Sequence, residues 1–141
     1  MRIALTLACA LIATPAFADG VDGIAFAQAE EGTWWCRSDG ATEGLRCALD
    51  KCNAEAGGQD CFETAWCMQA RWSGLMTVFL SDFHTTYVLC GAPSQAALAE
   101  TFRAWCAQIE NADRCEFSVS INPNGIVRDD VGESFAGPAA Q

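Results

Sequence analysis

The 141-residue chain carries 18 acidic residues against eight basic ones, a formal net charge of −10, and has nine cysteines and a single histidine. That balance disfavours nucleic acid and anionic lipid as partners, because both are bound through clustered Lys and Arg. A cationic protein or peptide is electrostatically allowed, and the charge also serves simply to keep the chain in solution.

Met1 to Ala18 holds one basic residue, Arg2, then an apolar run from Ile3 to Ala13, then Pro15-Ala16-Phe17-Ala18 before Asp19. This reads as a secretory signal peptide ending in an A-x-A site. The run is too short to span about 30 Å of hydrocarbon, and no later segment is long and apolar enough to do so. Cleavage after Ala18 leaves 123 residues with 18 acidic and seven basic side chains, a formal charge of −11. Periplasmic or secreted localisation is expected.

Cleavage also removes Cys9 and leaves Cys36, Cys47, Cys52, Cys61, Cys67, Cys90, Cys106 and Cys115. An even set in a short exported chain implies a disulfide framework, here four bridges. There is no C-x-x-C, and His84 is the sole histidine, so neither a zinc site nor a thioredoxin-like redox site is indicated. No cofactor or metal is expected.

The cysteine spacing repeats. Cys36, Cys52 and Cys61 are matched by Cys90, Cys106 and Cys115 at a constant offset of 54 residues. A fixed period points to one supersecondary unit used twice. The first spans about 23–72, the second about 75–121.

In chain order, Asp19 to Gly23 is a polar lead-in and Gly23 to Ala27 a first strand with Ile24 and Phe26 on one face. Glu30-Glu31-Gly32 is a turn, and Thr33 to Cys36 a second strand. Ser38-Asp39-Gly40 offers an N-cap, with Glu43 in the first helical turn. From Thr42 to Ala56, Leu45, Ala48, Leu49, Cys52 and Ala56 fall on one helical face. Cys47 lies about 140° around that helix from Cys52, so a bond from Cys47 to a covering segment is expected rather than one to the sheet. Gly57-Gly58 stops the helix, and a third strand runs from Cys61 to Cys67.

The second unit repeats the order. Leu75 to Leu80 and His84 to Cys90 are strands joined by a turn at Ser81-Asp82-Phe83. Pro93 and Ser94 start a helix with an apolar stripe of Leu98, Phe102, Trp105 and Ile109 and with Cys106 at its edge. From Cys115 to Ile121 the pattern alternates, with Phe117, Val119 and Ile121 inward and Glu116, Ser118 and Ser120 on a wet face. Asn122-Pro123-Asn124-Gly125 is a turn, Ile126 and Val127 a short edge pairing, and 128–141 a mobile tail. The expected architecture is a single α+β domain over 19–127. It has two strand-strand-helix-strand repeats, with the helices packed on a largely antiparallel sheet.

The helices carry a family pattern. Ala48-Leu49-x-x-Cys52, the Gly57-Gly58 break, Asp60-Cys61 leading into a strand, and an opening Gly23-Ile24-Ala25 resemble the domain-of-unknown-function 4189 family of small exported bacterial proteins. The resemblance covers roughly 23–121. It departs at Arg71-Trp72-Ser73-Gly74, where the family has a cysteine followed by small residues, and at Thr101-Phe102-Arg103, where it has A-L. Cys36, Cys47 and Cys90 look like additions. The family implies no activity.

If the two units are equivalent, Cys52–Cys61 and Cys106–Cys115 each join a helix end to the next strand. Cys47 would then pair with Cys67, and Cys36 with Cys90, out of 105 possible arrangements. His84, with Ser81 and Asp82 beside it, is the only candidate for imidazole chemistry, but neighbours in one strand point to alternating faces. Asp19/Asp22, Glu30/Glu31 and Asp129/Asp130 lack an EF-hand order of ligands and read as solvated surface. No catalytic residues are assigned. Trp34, Trp35, Trp66 and Trp72 are the binding candidates, because adjacent strand residues face opposite ways and an exposed ring would form an aromatic platform for a protein or glycan. The expected function is a non-enzymatic binding or inhibitor module. A structural envelope protein and a hydrolase are the alternatives, the hydrolase to be recognised by a polar cleft gathering His84 with carboxylates.

Overall fold

In a computed structural model, described over residues 23–57, 60–129 and 131–140, the chain forms two antiparallel sheets, each with one helix. Strands β1 (Gly23–Ala29), β2 (Gly32–Ser38) and β3 (Phe62–Cys67) make a three-stranded sheet in the order β2-β1-β3, and helix α1 (Ala41–Glu55) connects β2 to β3. Strands β4 (Trp72–Phe79), β5 (His84–Ala92) and β6 (Arg114–Ile121) follow in the order β5-β4-β6, with helix α2 (Gln95–Cys106) connecting β5 to β6. Two short strands, β7 (Val127–Arg128) and β8 (Glu133–Ala136), both pair with β6. The signal-peptide reading and the lead-in up to Asp22 lie outside the described residues.

Period-two alternation places successive strand residues on opposite faces, and here both faces are covered. On one face of the first sheet Ala25, Ala27 and Cys36, with Trp34 and Trp66, pack against Ala48, Cys52, Leu45 and Leu49 of α1. On its other face Ile24, Phe26 and Trp35 meet Leu75, Val88, Val119 and Ile121 of the second sheet. The far face of the second sheet, with Met76, Val78 and Phe117, packs on Leu98 and Phe102 of α2. The layers therefore run α1, first sheet, second sheet, α2. Two antiparallel sheets replace the single one expected from the strand pattern, because each sheet has one face covered by its own helix and buries the apolar groups of its other face against the other sheet.

Several local readings hold. Ser94 Oγ accepts from the Ala97 amide and caps α2, Glu43 lies in the first turn of α1, and Gly57 follows α1 in the left-handed region at φ +72°, where glycine avoids the Cβ clash. Gly40 is the N-cap of α1 without a side-chain bond, while Ser38 pins the turn before it by accepting from the Gly40 amide at 3.1 Å.

Other readings are corrected. β6 does not keep the wet face expected of it. A register shift against β4 inserts an extra residue after Phe117, so Phe117 packs toward α2 while Val119 and Ile121 pack between the sheets, and Ser120 is buried. A bulge re-aims side chains in this way. Cys106 is fully buried at the centre of the α2 stripe and Trp105 lies at its exposed edge, its ring 5.8 Å from that of Tyr87. The segment read as a mobile tail supplies β8, whose Phe135 is buried in the α2 core with the Arg103 guanidinium 5.0 Å from its ring.

Four disulfides are present among the described residues. Cys52–Cys61 and Cys106–Cys115 form as the spacing implies, each closing a separation of nine residues. The other two differ from expectation: Cys36 pairs with Cys47, and Cys67 with Cys90. α1 lies over β1, the central strand, so its two flanks face the two edges of the sheet. The angular offset between Cys47 and Cys52 thus sends Cys47 to β2 and Cys52 to the chain entering β3. Cys67–Cys90 joins β3 to β5 and is the one bridge between the two sheets.

Candidate functional site

The layer between the sheets changes character along its length. At the end where β1, β2 and β3 pair as Ile24, Arg37 and Cys67, it is filled by Ile24, Phe26, Trp35, Leu75, Val88 and Ile121. Toward the other end the same inward positions carry Gln28 on β1, Thr33 on β2, Thr77 and Phe79 on β4, and His84 and Thr86 on β5. There the sheets part around an open cleft of about 720 Å³, lined by those residues together with the β1–β2 turn at Glu30-Glu31, the β4–β5 turn at Asp82-Phe83, and Phe62. Large apolar groups are what hold two sheet faces together. Short polar groups leave room for water or a ligand.

Gln28 anchors the base of the cleft. Its amide nitrogen donates to Thr33 Oγ1 at 3.2 Å and to the Thr86 carbonyl of the other sheet at 3.0 Å, and its amide oxygen accepts from Thr64 Oγ1 at 3.1 Å. One side chain thereby ties three strands of the first sheet to β5 of the second. Around it Phe62 and Phe83 are 56% and 63% exposed, high values for rings with no polar handle. Glu30, Glu31 and Asp82 stand on the two turns, all exposed.

His84 is exposed at the start of β5, its ring 6.0 Å from that of Phe79. Among the described residues no hydrogen bond orients it toward a hydroxyl or carboxylate. Ser81 Oγ donates instead to its neighbour Asp82 at 3.4 Å. Nor do three or more His, Cys, Asp or Glu side chains converge on a possible metal position among the described residues. Of the carboxylate pairs, Glu30 and Glu31 form the β1–β2 turn, while Asp19, Asp22 and Asp130 lie outside the described residues.

The four tryptophans do not share one surface. Trp34 and Trp66 are half-buried beneath α1, and Trp34 Nε1 donates to Glu55 at 2.6 Å. Trp35 lies in the layer between the sheets, and Trp72 is half-buried at the start of β4. Adjacent strand residues do face opposite ways, but in this fold each face has a cover. The cleft itself was visible in the sequence only as polar interruptions, Gln28 after Ile24 and Phe26 and Thr77 after Leu75, which look like ordinary strand ends until both sheets are seen to meet there.

The fold and cleft define a class: a disulfide-bridged α+β sandwich of two helix-backed antiparallel sheets, open at one end between its hairpins. No family model matches the chain, and no curated protein or solved structure matches it either. Four disulfides are compatible with an exported protein, and no helix among the described residues is long and apolar enough to cross a membrane.

Proposed function

We propose that this chain is an exported, non-enzymatic binding or inhibitor module that holds its ligand in the cleft between its two hairpin ends. The observation that carries this reading is the switch of inward-facing residues from Ile24, Phe26, Leu75 and Val88 to Gln28, Thr33, Thr77 and Thr86 as the sheets part. Large apolar groups close the sheets at one end, and the short polar ones leave the gap at the other. Gln28 keeps the walls at a set separation, and the disulfides and paired strands beneath hold the site rigid before a ligand arrives, which lowers the ordering cost of binding.

We further propose that the chain arose by duplication of a strand-strand-helix-strand unit and belongs with the domain-of-unknown-function 4189 proteins. The matched orders β2-β1-β3 and β5-β4-β6, and the nine-residue helix-to-strand bridges in both halves, support the duplication.

The test is a fragment screen by two-dimensional ¹⁵N NMR on the oxidised protein. Hits that shift the amides of Gln28, Thr33, Thr77 and Thr86 together are expected. Shifts scattered over the surface, or confined to the surroundings of Trp66 and Trp72, would overturn the cleft reading. A hydrolase reading has one observation in its favour, that His84 shares the cleft with Glu30, Glu31 and Asp82. Turnover of any ester, peptide or glycoside that is lost in His84→Ala would establish it.

A further inference from the structure

The cleft's chemistry is asymmetric in a way that selects a ligand. Among the described residues its ionisable lining consists of Glu30, Glu31, Asp82 and His84, with no Lys or Arg. The cation beside it, Arg114, which pairs with Phe79 across β4 and β6, is already engaged: its guanidinium stacks 3.7 Å from the centroid of the Phe79 ring, and its Nε donates to Glu116 at 3.0 Å. The donors of Gln28 are committed to Thr33 and Thr86. What the cleft offers a visitor is thus an excess of acceptors, three carboxylates that accept only, beside two bare aromatic faces. A guanidinium brings five N–H donors and an ammonium three, and neither needs an acceptor in return.

Resting on the cleft reading above, we propose that the ligand is a cationic peptide segment. An Arg or Lys head would lie between the turn carboxylates, and its methylene stem against Phe62 and Phe83. A cation over a phenyl face is attracted by the ring quadrupole, and long basic side chains cover apolar surface while keeping the head polar. The chain's overall charge of −10 draws such a partner in. An anionic ligand would meet the same three carboxylates as repulsion. A neutral glycan would find donors in the Thr33, Thr77 and Thr86 hydroxyls but would leave the three carboxylates without a counter-charge.

Three decapeptides alternating Gly with Arg, with citrulline or with Glu separate these cases, since citrulline keeps the shape of arginine without its charge. Binding is read by calorimetry at low and high salt, and its location by ¹⁵N NMR. The Arg peptide is expected to shift the amides of Gln28, Thr33, Phe83 and Thr86, and to weaken as salt rises. It should bind about tenfold more tightly than the citrulline peptide, the scale of several exposed ion pairs acting together. The Glu peptide should not bind. The variant E30Q/E31Q/D82N, changed only at exposed turn positions, should bind the Arg peptide no better than the citrulline one while melting at the wild-type temperature. Equal binding of Arg and citrulline peptides at the same amides would overturn the charge assignment and leave the cleft reading standing. An Arg peptide that does not bind, or that shifts amides elsewhere, also overturns the proposal, while the cleft reading is judged separately by the fragment screen.

Discussion

The two helices sit on sheets of the same strand order, yet they fill their interfaces from opposite sides. α2 brings the bulk itself: Leu98, Ala99, Phe102 and Cys106 are buried, and Phe102 meets Phe117 with ring centroids 5.1 Å apart. α1 buries only Gly44, Ala48 and Cys52, and the large groups come up from the strands as Trp34 and Trp66. A Cβ on Gly44 would lie 2.6 Å from the Trp66 ring, so the glycine is the space that the tryptophan fills. The first half also has a helix-to-strand bridge that the second lacks, Cys36–Cys47. The contrast shows that a helix and sheet of one topology need a certain filled volume, and either partner can supply it. Where the helix contributes little, a cross-link holds the seam.

Four experiments would break or sharpen that contrast. Phe102→Ala should be the most damaging, about 3–5 kcal/mol lost by chemical denaturation, because it empties the centre of the α2 interface. A loss near 1 kcal/mol would show that Phe135 and Leu98 collapse into the space and that α2 is less dependent on its own bulk than argued. Replacing Cys36 and Cys47 together by Ser should cost about 3 kcal/mol, the scale for closing a loop of this order. Amide exchange should speed up in α1 and β2 and leave α2 unchanged, and uniform loosening of both helices would contradict a local role.

Gly44→Ala is the sharper test. In an open helix this change gains roughly 1 kcal/mol, but against a packed ring an added methyl costs about 1–3 kcal/mol. A net loss of about 1 kcal/mol is expected, together with a change in the near-ultraviolet tryptophan signal. A gain would mean that Trp66 swings aside freely. The smallest effect belongs to Phe62→Ala combined with Phe83→Ala, which should alter stability by less than about 0.5 kcal/mol since both rings are exposed. If that double variant melts much lower, the rings serve packing and the cleft is a product of it.

Much of the local structure was legible in the residues alone. Alternation located the strands, the stripes at Leu45 to Ala56 and Leu98 to Ile109 located the helices, and the equal intervals Cys52–Cys61 and Cys106–Cys115 announced two bridges. These are short-range facts, set by the backbone periods of helix and strand and by loops of a few residues. Periodicity says which side chains share a face. It does not say what covers that face.

That is why only the tertiary structure decided the rest. The face-to-face packing of the sheets gave both Trp34 and Trp35 a covered side and buried Ser120, expected on a wet face of β6, while Glu116 stayed partly exposed. The placement of α1 over the central strand, with its flanks toward the two edges, selected Cys36–Cys47 and Cys67–Cys90 from pairings that spacing alone could not separate. Phe135 became a core residue because β6 offered a free edge beside α2. The cleft depends on two hairpins about 50 residues apart in the chain ending on the same side of the sandwich. Gln28, Thr33, Thr77 and Thr86 carry no shared signal along the sequence, and become one site only when the long-range packing brings β1, β2, β4 and β5 to a common end.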